Sequence, residues 1–471
     1  MGINRAAYVE KIQNEYSDTY TLMKWLSDDQ ALRAEEHRRI LLDRMGSLLN
    51  WSFSGTKPHT GPLSPGCRLC GQGTWSCLFI NNICNARCFY CPSSQDEVGV
   101  PGTNALDFKN PEDYADYIRT FDIRGVSFSG GEPMMTSDLV LKYLKILRKR
   151  VHSPLHVWMY TNGILITQDK LKILRDAGLD EIRFDISANR YLLEKAALAV
   201  GVIPTVTVEI PAIPEDMQRL KSTAAELDSM GVNHLNLHQI RCTAYNRNNL
   251  IERGYTFLHG PKVTVLETEL AALELMACAL EKKISLPVNY CSFSYRHQYQ
   301  SAGTRRRNAL KIRAGWEDIT QNGHIRTLAV TGDAATLSSI DRSLAEAGVD
   351  RSLWQCPKPG TRLMFHPSLL KMIPLEGVRL GVSYYATALK PGVSYRHPFT
   401  EIHLNNKKRV YVEKKAELKD TVLEGETIQA FAARYVPEAG TTPDPYIPSL
   451  SGTMEAIQPY ETFQSGLAQY Y

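Results

Sequence analysis

From Trp75 onward the chain alternates short apolar runs of strand length with longer runs of helical period. The strand-like runs are WSCLFINNIC, GVSFSGG, HVWMYTNG, EIRFDIS, TVTVEIPAI and HLNLHQI. Between them lie PEDYADYIRTF, SDLVLKYLKILRKRV, QDKLKILRDAG, RYLLEKAALAV and MQRLKSTAAELDSMG. A sixth helical run, VLETELAALELMACALEKK, sets Leu266, Leu270, Leu273, Ala277 and Leu280 on one stripe. Strands alternating with helices predict an α/β fold with a parallel sheet and right-handed crossovers. Six such units fall short of a closed eight-fold barrel.

The flanks follow other patterns. Tyr8, Ile12, Tyr16, Tyr20, Met23 and Leu26 recur at three- and four-residue steps, and a second helical pattern runs through Ile40, Leu41, Met45, Leu48 and Leu49. The Gly/Pro/Ser-rich loop SGTKPHTGPLSPG follows. Beyond Ser301 a basic run, Arg305, Arg306, Arg307, Lys311 and Arg313, precedes a strand-like HIRTLAVTG, a helix-like AATLSSIDRSLAEAGV and the strand-like TRLMFHP and FTEIHLNNKKRVYVEKK. The organisation read from this is an N-terminal helical segment over 1–66, an α/β body over 67–300, a small α/β accessory domain over 301–440 and an irregular tail over 441–471.

Composition narrows the picture modestly. The 471 residues carry a net charge of +4 and 43% apolar content, a balance too mild to argue for nucleic acid. The arginines of the basic run spread around a helix without interleaved aromatics, so a solvated face is the better reading than a stacking platform. The N-terminus lacks an apolar h-region, Ala6 breaks the myristoylation pattern, and no run reaches the roughly 18 apolar residues of a membrane span. A cytoplasmic protein without a membrane partner is expected. In that setting the ten cysteines point to metal binding before disulfides.

The densest chemistry is CNARCFYCP, where Cys84, Cys88 and Cys91 stand at CxxxCxxC spacing just after the first strand-like run. Three thiolates on one short loop suit three irons of a four-iron cluster, which leaves one iron open for chemistry. Zinc is the other reading, although zinc arms usually come as two pairs far apart in sequence. The spacing, with aromatic Tyr90 before the last cysteine, resembles the radical S-adenosylmethionine (radical SAM) superfamily. PLSPGCRLC, HLNLHQIRCTAYN and NYCSFSYRHQYQ are similar to a branch related to the pyruvate formate-lyase activating enzyme. The resemblance covers about residues 60–305. It implies a partial (β/α)6 TIM-like barrel, oxygen sensitivity, a [4Fe–4S] cluster and SAM. It also implies a one-electron reductant such as flavodoxin or ferredoxin, and a 5′-deoxyadenosyl radical that takes hydrogen from a substrate.

Reactive groups of parallel barrels sit at the strand carboxyl ends, and polar motifs fall there. SGGEP supplies Ser129, Gly130, Gly131 and Glu132, similar to the family's SAM amino-group motif, with Glu132 offering a carboxylate to an ammonium. TNG supplies Thr161, Asn162 and Gly163, or is a plain strand-to-helix turn. Ser187 and Asn189 are candidates for SAM carboxylate or ribose contacts, or for a helix cap. Glu209 is an inward acid for ribose or substrate. His238 and Gln239 end the sixth strand, where a structural histidine is the commoner case. No residue is singled out as catalytic.

Cys67 and Cys70 form a CxxC on the Gly/Pro-rich loop. With Cys291 they are candidates for an auxiliary iron–sulfur cluster, its last ligand being Cys242, Cys356 or a non-cysteine; the alternative is small buried hydrophobes. Cys278 lies on the apolar stripe of the sixth helix and reads as core. No C-terminal array of the SPASM type is present. The function expected is hydrogen abstraction from a peptide or small metabolite. A cobalamin-dependent methyltransferase lacks its DxHxxG-type loop here; a glycyl-radical activase and a non-catalytic electron-transfer module are the further alternatives.

Overall fold

The structure, a computed structural model, describes residues 2–357, 360–436 and 452–470, with side chains from residue 8 onward. It divides into two units, residues 1–300 with 465–471, and residues 301–464. Among the described residues no helix is long and apolar enough to cross a membrane.

In the first unit the N-terminal periodicity appears as α1 (Gly2–Tyr16) and α2 (Asp28–Met45). Ser27 caps α2: its side chain accepts from the Gln30 amide, and Gln30 reaches back to the Ser27 amide, so two orphan donors of the first turn are satisfied. Then come β1 (Lys57–His59), α3 (Pro65–Gly71) and β2 (Trp75–Ile83). The alternating body continues as α4 (Pro111–Thr120), β3 (Gly125–Gly130), α5 (Ser137–Arg150), β4 (His156–Thr161), α6 (Gln168–Asp176) and β5 (Glu181–Phe184). It ends with α7 (Glu194–Ala199), β6 (Thr205–Pro211), α8 (Met217–Ser229), β7 (His234–His238), α9 (Leu266–Glu281) and β8 (Val288–Cys291).

Strands β2 to β8 pair in sequence order, each parallel to the next. The large curled sheet is a partial TIM-like barrel. It runs one parallel strand past the six expected: β8 pairs with β7, and β1 closes on β8 antiparallel. The short segment VNYC has too few residues to stand out as a further unit beside the helix that precedes it.

Every strand splits its residues by parity. Val126, Phe128, Val157, Met159, Ile182, Phe184, Val206, Val208, Leu235 and Leu237 are at most 1% exposed. They form the face that the crossover helices cover, where Val140, Tyr143, Leu144 and Leu147 of α5 supply the helical side. Burying each large apolar side chain contributes about 1.5–3 kcal/mol. The opposite parity is polar and faces inward: Ser127, Tyr160, Glu181, Arg183, Thr207, Glu209, Asn236 and Asn289.

That polar face is one connected network. Arg183 donates to Glu181 (2.8 Å) and Glu209 (2.6 Å), and Asn236 donates to Glu209 (2.9 Å). Glu181 also accepts from Thr207 Oγ1 (2.9 Å) and the Gly66 amide (3.1 Å), and pairs with the His156 ring at 2.9 Å. Gly66 has no alternative here: a Cβ would stand 2.4 Å from the Arg183 guanidinium. Helix α3 is thereby seated on the Arg183–Glu181 pair.

The second unit is an antiparallel sheet with helices. Its strand order, by residue range, is 354–355, 362–365, 325–331, 379–390, 409–423 and 399–403, with 317–319 paired beside 325–331. Arg379–Lys390, a central strand, was not among the strand-like runs, because a glycine, a serine, two tyrosines and a threonine break its apolar pattern. The tail read as irregular holds a helix, Gly452–Glu461. Glu461 bonds Arg326 Nη1 at 2.9 Å inside this unit. Residues 437–451 of the tail and residue 471 lie outside the described residues, while 465–470 belong to the first unit, where the Ala468 carbonyl accepts from Arg38 at 2.6 Å. In the basic run Arg306, Lys311 and Arg313 are exposed, as a solvated face requires, and Arg305 and Arg307 are half-buried. Arg305 donates to the Asn322 carbonyl (2.8 Å), Arg306 to that of Thr320 (3.1 Å) and Arg313 to that of Glu317 (2.9 Å). The guanidiniums are spent on turn carbonyls of their own unit.

Burial works to raise the Glu181 carboxyl, but the Arg183 and His156 charges and the Thr207 hydroxyl hold it well below its usual 4.5. Its contribution to stability is therefore present at neutral pH and fades as the pH falls below that value. Glu181→Gln removes one of the two carboxylates that neutralise Arg183, leaving Glu209, and is expected to destabilise the first unit by about 1–3 kcal/mol. Denaturant melts from pH 7 to pH 3 check this, and the variant is expected to lack the acid slope that Glu181 gives the wild type.

Candidate functional site

The carboxyl ends of β2, β3, β4 and β5 bring the sequence motifs together. The cysteine loop leaves β2 with the Cys84 amide donating to the Gln95 carbonyl at 3.0 Å. The Ala86 amide points at Cys84 Sγ (3.4 Å), and the Cys91 amide closes a turn on the Cys88 carbonyl at 3.1 Å. All three cysteines are partly exposed. Burial raises the Cys84 thiol and pushes that of Cys88 up to about 12, so without metal these sulfurs are thiols, and a metal must displace their protons.

The SGGEP turn is built by close backbone approach. Gly130 has φ +119°, and a Cβ there would stand 2.0 Å from the Asn81 carbonyl oxygen. At Gly131 a Cβ would stand 1.9 Å from the Ile83 oxygen. That contact is made by hydrogen bonds: the Gly131 amide donates to Asn81 (3.0 Å) and the Glu132 amide to Ile83 (2.7 Å). Only glycines let the turn lie against the strand that launches the cysteine loop.

Glu132 is 1% exposed. One carboxylate oxygen accepts from the Met134 amide (2.9 Å) and Thr161 Oγ1 (2.8 Å); the other accepts from the Asn162 amide (2.7 Å). Burial raises its pKa against these donors. The carboxylate thus staples the β3 turn to the TNG turn after β4. Asn162 in turn reaches Asn85 Oδ1 (2.7 Å) and lies 3.8 Å from Cys84 Sγ. Asn189 donates to the Asn162 carbonyl at 3.1 Å.

Tyr90 is nearly buried, and its hydroxyl donates to Asp185 (2.9 Å) and lies 2.6 Å from Ser187 Oγ. Burial raises the Asp185 carboxyl above the usual carboxylate range. Ser129 lies level with Phe79 on β2. Glu209 is ion-paired with Arg183. Burial holds His238 neutral, down to about 4.

Sequence reasoning missed the residues that hold the cysteine loop from the far side. Asn246 Nδ2 donates to the Tyr90 carbonyl (2.9 Å), Asn249 Nδ2 to that of Phe89 (3.3 Å) and Thr243 Oγ1 to that of Pro92 (3.0 Å). Arg253 stacks on the Phe89 ring at 3.6 Å. The phrase TAYNRNN carried the only signal, and asparagines in a loop read equally as turn formers.

Among the described residues no three His, Cys, Asp or Glu side chains close around a single metal ion. A thiolate-held cluster makes a different demand, since its ligands bind separate irons, and three thiols on one loop fit that donor set. Residues 78–193 match the family model described as the radical SAM superfamily. These residues form a radical SAM superfamily domain. Relatives of the chain include a "putative glycyl-radical enzyme activating enzyme" of Methanocaldococcus jannaschii, 28% identical over 273 residues, 55% of this chain and 72% of that one. The GTP 3′,8-cyclase of Rhodopirellula baltica is 27% identical over 160 residues, 34% of this chain and 44% of its own. The chain therefore spans less than half of that cyclase. Among solved structures, Streptococcus suis SuiB bound to S-adenosylmethionine is 12% identical, with a TM-score of 0.33 and coverage of 68% of this chain and 70% of that one. The radical SAM family binds SAM and a [4Fe–4S] cluster, and its domain here contains the cysteine loop, the SGGEP turn, the TNG turn, Ser187 and Asn189.

The glycine contacts set a test. Gly131→Ala drives a Cβ into the Ile83 carbonyl and is expected to destabilise the first unit by about 3 kcal/mol or more. Gly260→Ala, whose Cβ would meet nothing closer than 3.5 Å, is expected to stay within about 0.5 kcal/mol of wild type. Thermal melts of the two variants make the comparison.

Proposed function

We propose that this protein is a radical SAM enzyme that cleaves S-adenosylmethionine reductively and abstracts hydrogen from a peptide or small-metabolite substrate. The observation that carries the reading is the joining of the cysteine loop, the SGGEP turn and the TNG turn by Glu132 and Asn162 at one end of the barrel. In this reading Cys84, Cys88 and Cys91 hold the cluster. When bound, the cluster supplies the electron, delivered by a reductant such as flavodoxin or ferredoxin, that splits SAM into methionine and the 5′-deoxyadenosyl radical.

The rest falls to the chain. The carboxylate of Glu132 accepts from three donors that hold the turn, and its remaining acceptor site, with the backbone of Ser129, Gly130 and Gly131, meets the SAM ammonium. Asn162, Ser187 and Asn189 face the carboxylate and ribose of SAM. The Tyr90 hydroxyl is engaged by Asp185 and Ser187, which fixes its ring beside the cluster loop. Glu209, tied to Arg183 and Asn236, lines the polar interior below, and the surrounding barrel limits access of water to the radical. Substrate enters at the strand carboxyl ends.

A narrower reading, activation of a glycyl-radical protein, is favoured by the name of the Methanocaldococcus jannaschii relative. There the abstracted hydrogen comes from a glycine of a partner protein, which makes it the peptide case of the same reaction. An electron-transfer module is the reading from a different class.

Anaerobic incubation with SAM and a strong reductant tests all three. Wild type is expected to form 5′-deoxyadenosine, and the Cys84→Ala/Cys88→Ala/Cys91→Ala variant to fall to background. A glycyl-radical electron paramagnetic resonance signal on an added partner protein would narrow the reaction to activation. A wild type that binds iron yet never forms 5′-deoxyadenosine would overturn the enzymatic reading in favour of electron transfer.

A further inference from the structure

Apart from the SAM rim, three cysteines and a lysine meet inside the barrel. Helix α3 carries Cys67 and Cys70, and Cys291 ends β8. Asn289 of β8 lies opposite His59 of β1 in an antiparallel pair, so the same register sets Lys57 across from Cys291. Lys57 is 1% exposed. Its ammonium lies 4.5 Å from the centre of the Tyr295 ring. Among the described residues it forms no hydrogen bond or ion pair with a carboxylate. The Tyr295 hydroxyl donates to the Cys67 carbonyl at 3.4 Å, and the Ser292 hydroxyl to the Thr56 carbonyl at 2.7 Å, which ties the residues after Cys291 to those before Lys57.

A buried ammonium demands an anion beside it. A thiolate-held cluster is one such anion, and the CxxC of α3 together with Cys291 supplies its donors. The sulfurs are also met by donors. Asn236 Nδ2 points at Cys67 Sγ (3.3 Å), and Gln300 Nε2 at Cys70 Sγ (2.9 Å), the kind of hydrogen bond that tunes a cluster sulfur. His238 lies beside Cys291 across the β7–β8 pairing, on the same face, and its buried Nδ1 has no hydrogen-bond partner. Of the expected last ligands, Cys242 is instead packed with Tyr16 and Tyr90 in the cluster under α1, and Cys356 belongs to the second unit.

We propose that Cys67, Cys70 and Cys291 hold a second iron–sulfur cluster, with His238 as its fourth ligand and the Lys57 ammonium as its buried counter-cation. This cluster is independent of SAM cleavage and stands or falls apart from it.

The test uses the full chain reconstituted anaerobically with iron and sulfide. In the Cys84→Ala/Cys88→Ala/Cys91→Ala variant, about half of the wild-type iron and sulfide is expected to remain, with the absorption and electron paramagnetic resonance of an iron–sulfur cluster. Adding Cys291→Ser to that variant is expected to remove most of it. Lys57→Met in the same background is expected to move the remaining cluster to a more negative potential, since a cation that favours the reduced form is gone. His238→Gln is expected to alter the resonance. A folded triple variant without iron would overturn the proposal, as would zinc in place of iron, and an unmoved potential in Lys57→Met would overturn the role of the lysine.

Discussion

A guanidinium inside a barrel of low dielectric has to be neutralised where it stands, and the first unit is arranged around that demand. Arg183 lies on β5 with its side chain 4% exposed. Glu181 on its own strand and Glu209 on β6 share its charge. Two carboxylates around one cation are then satisfied by hydroxyl, amide and imidazole donors from β4, β6, β7 and α3. An ion pair of this kind adds little net stability against an apolar filling, but it fixes register and orientation, because each partner has one geometry that leaves no charge bare. The inner face of this barrel is therefore a polar scaffold, unlike the stacked Val, Ile and Leu layers that fill many barrels.

Function follows from what that scaffold leaves free at its two levels. At the strand carboxyl ends, backbone meets backbone through Gly130 and Gly131, and Glu132 joins neighbouring turns. A rim held in this way presents amides and carbonyls in fixed directions, which is the condition for orienting a zwitterionic cofactor without paying for its alignment at each turnover. Lower down, α3 sits on the Arg183–Glu181 pair, and this brings its CxxC beside Asn236, Tyr295 and Lys57.

The outline of the fold was legible because each strand and helix announced itself locally. SDLVLKYLKILRKRV has one apolar stripe, HVWMYTNG has a strand run and a turn, and the six predicted helices appear where their periods placed them. The cysteine loop was legible for the same reason: its chemistry lies within eight residues. The failures are equally local in origin. VNYC is too short to declare a seventh parallel strand, Arg379–Lys390 too mixed to declare a central one, and the tail helix too weakly amphipathic to separate from coil. The bonds of Arg305, Arg306 and Arg313 to carbonyls of residues 317–322 were not legible either, because backbone acceptors carry no side-chain signature.

The sequence by itself determined the alternation of strands and helices in the body and the resemblance to the radical SAM superfamily, since spacing and periodicity over a few residues suffice for each. Tertiary structure decided what the isolated polar residues do. Glu132 reads as a free carboxylate until three donors from two turns are seen to bond it. Glu209 reads as a lone inward acid until Arg183 and Asn236 are seen to bond it. Lys57 does not register in the sequence at all, because its meaning depends on burial and on cysteines 10, 13 and 234 positions away. Local patterns encode elements through short-range sterics and burial periodicity, whereas charge neutralisation is settled by whichever groups the finished fold brings within a few ångströms.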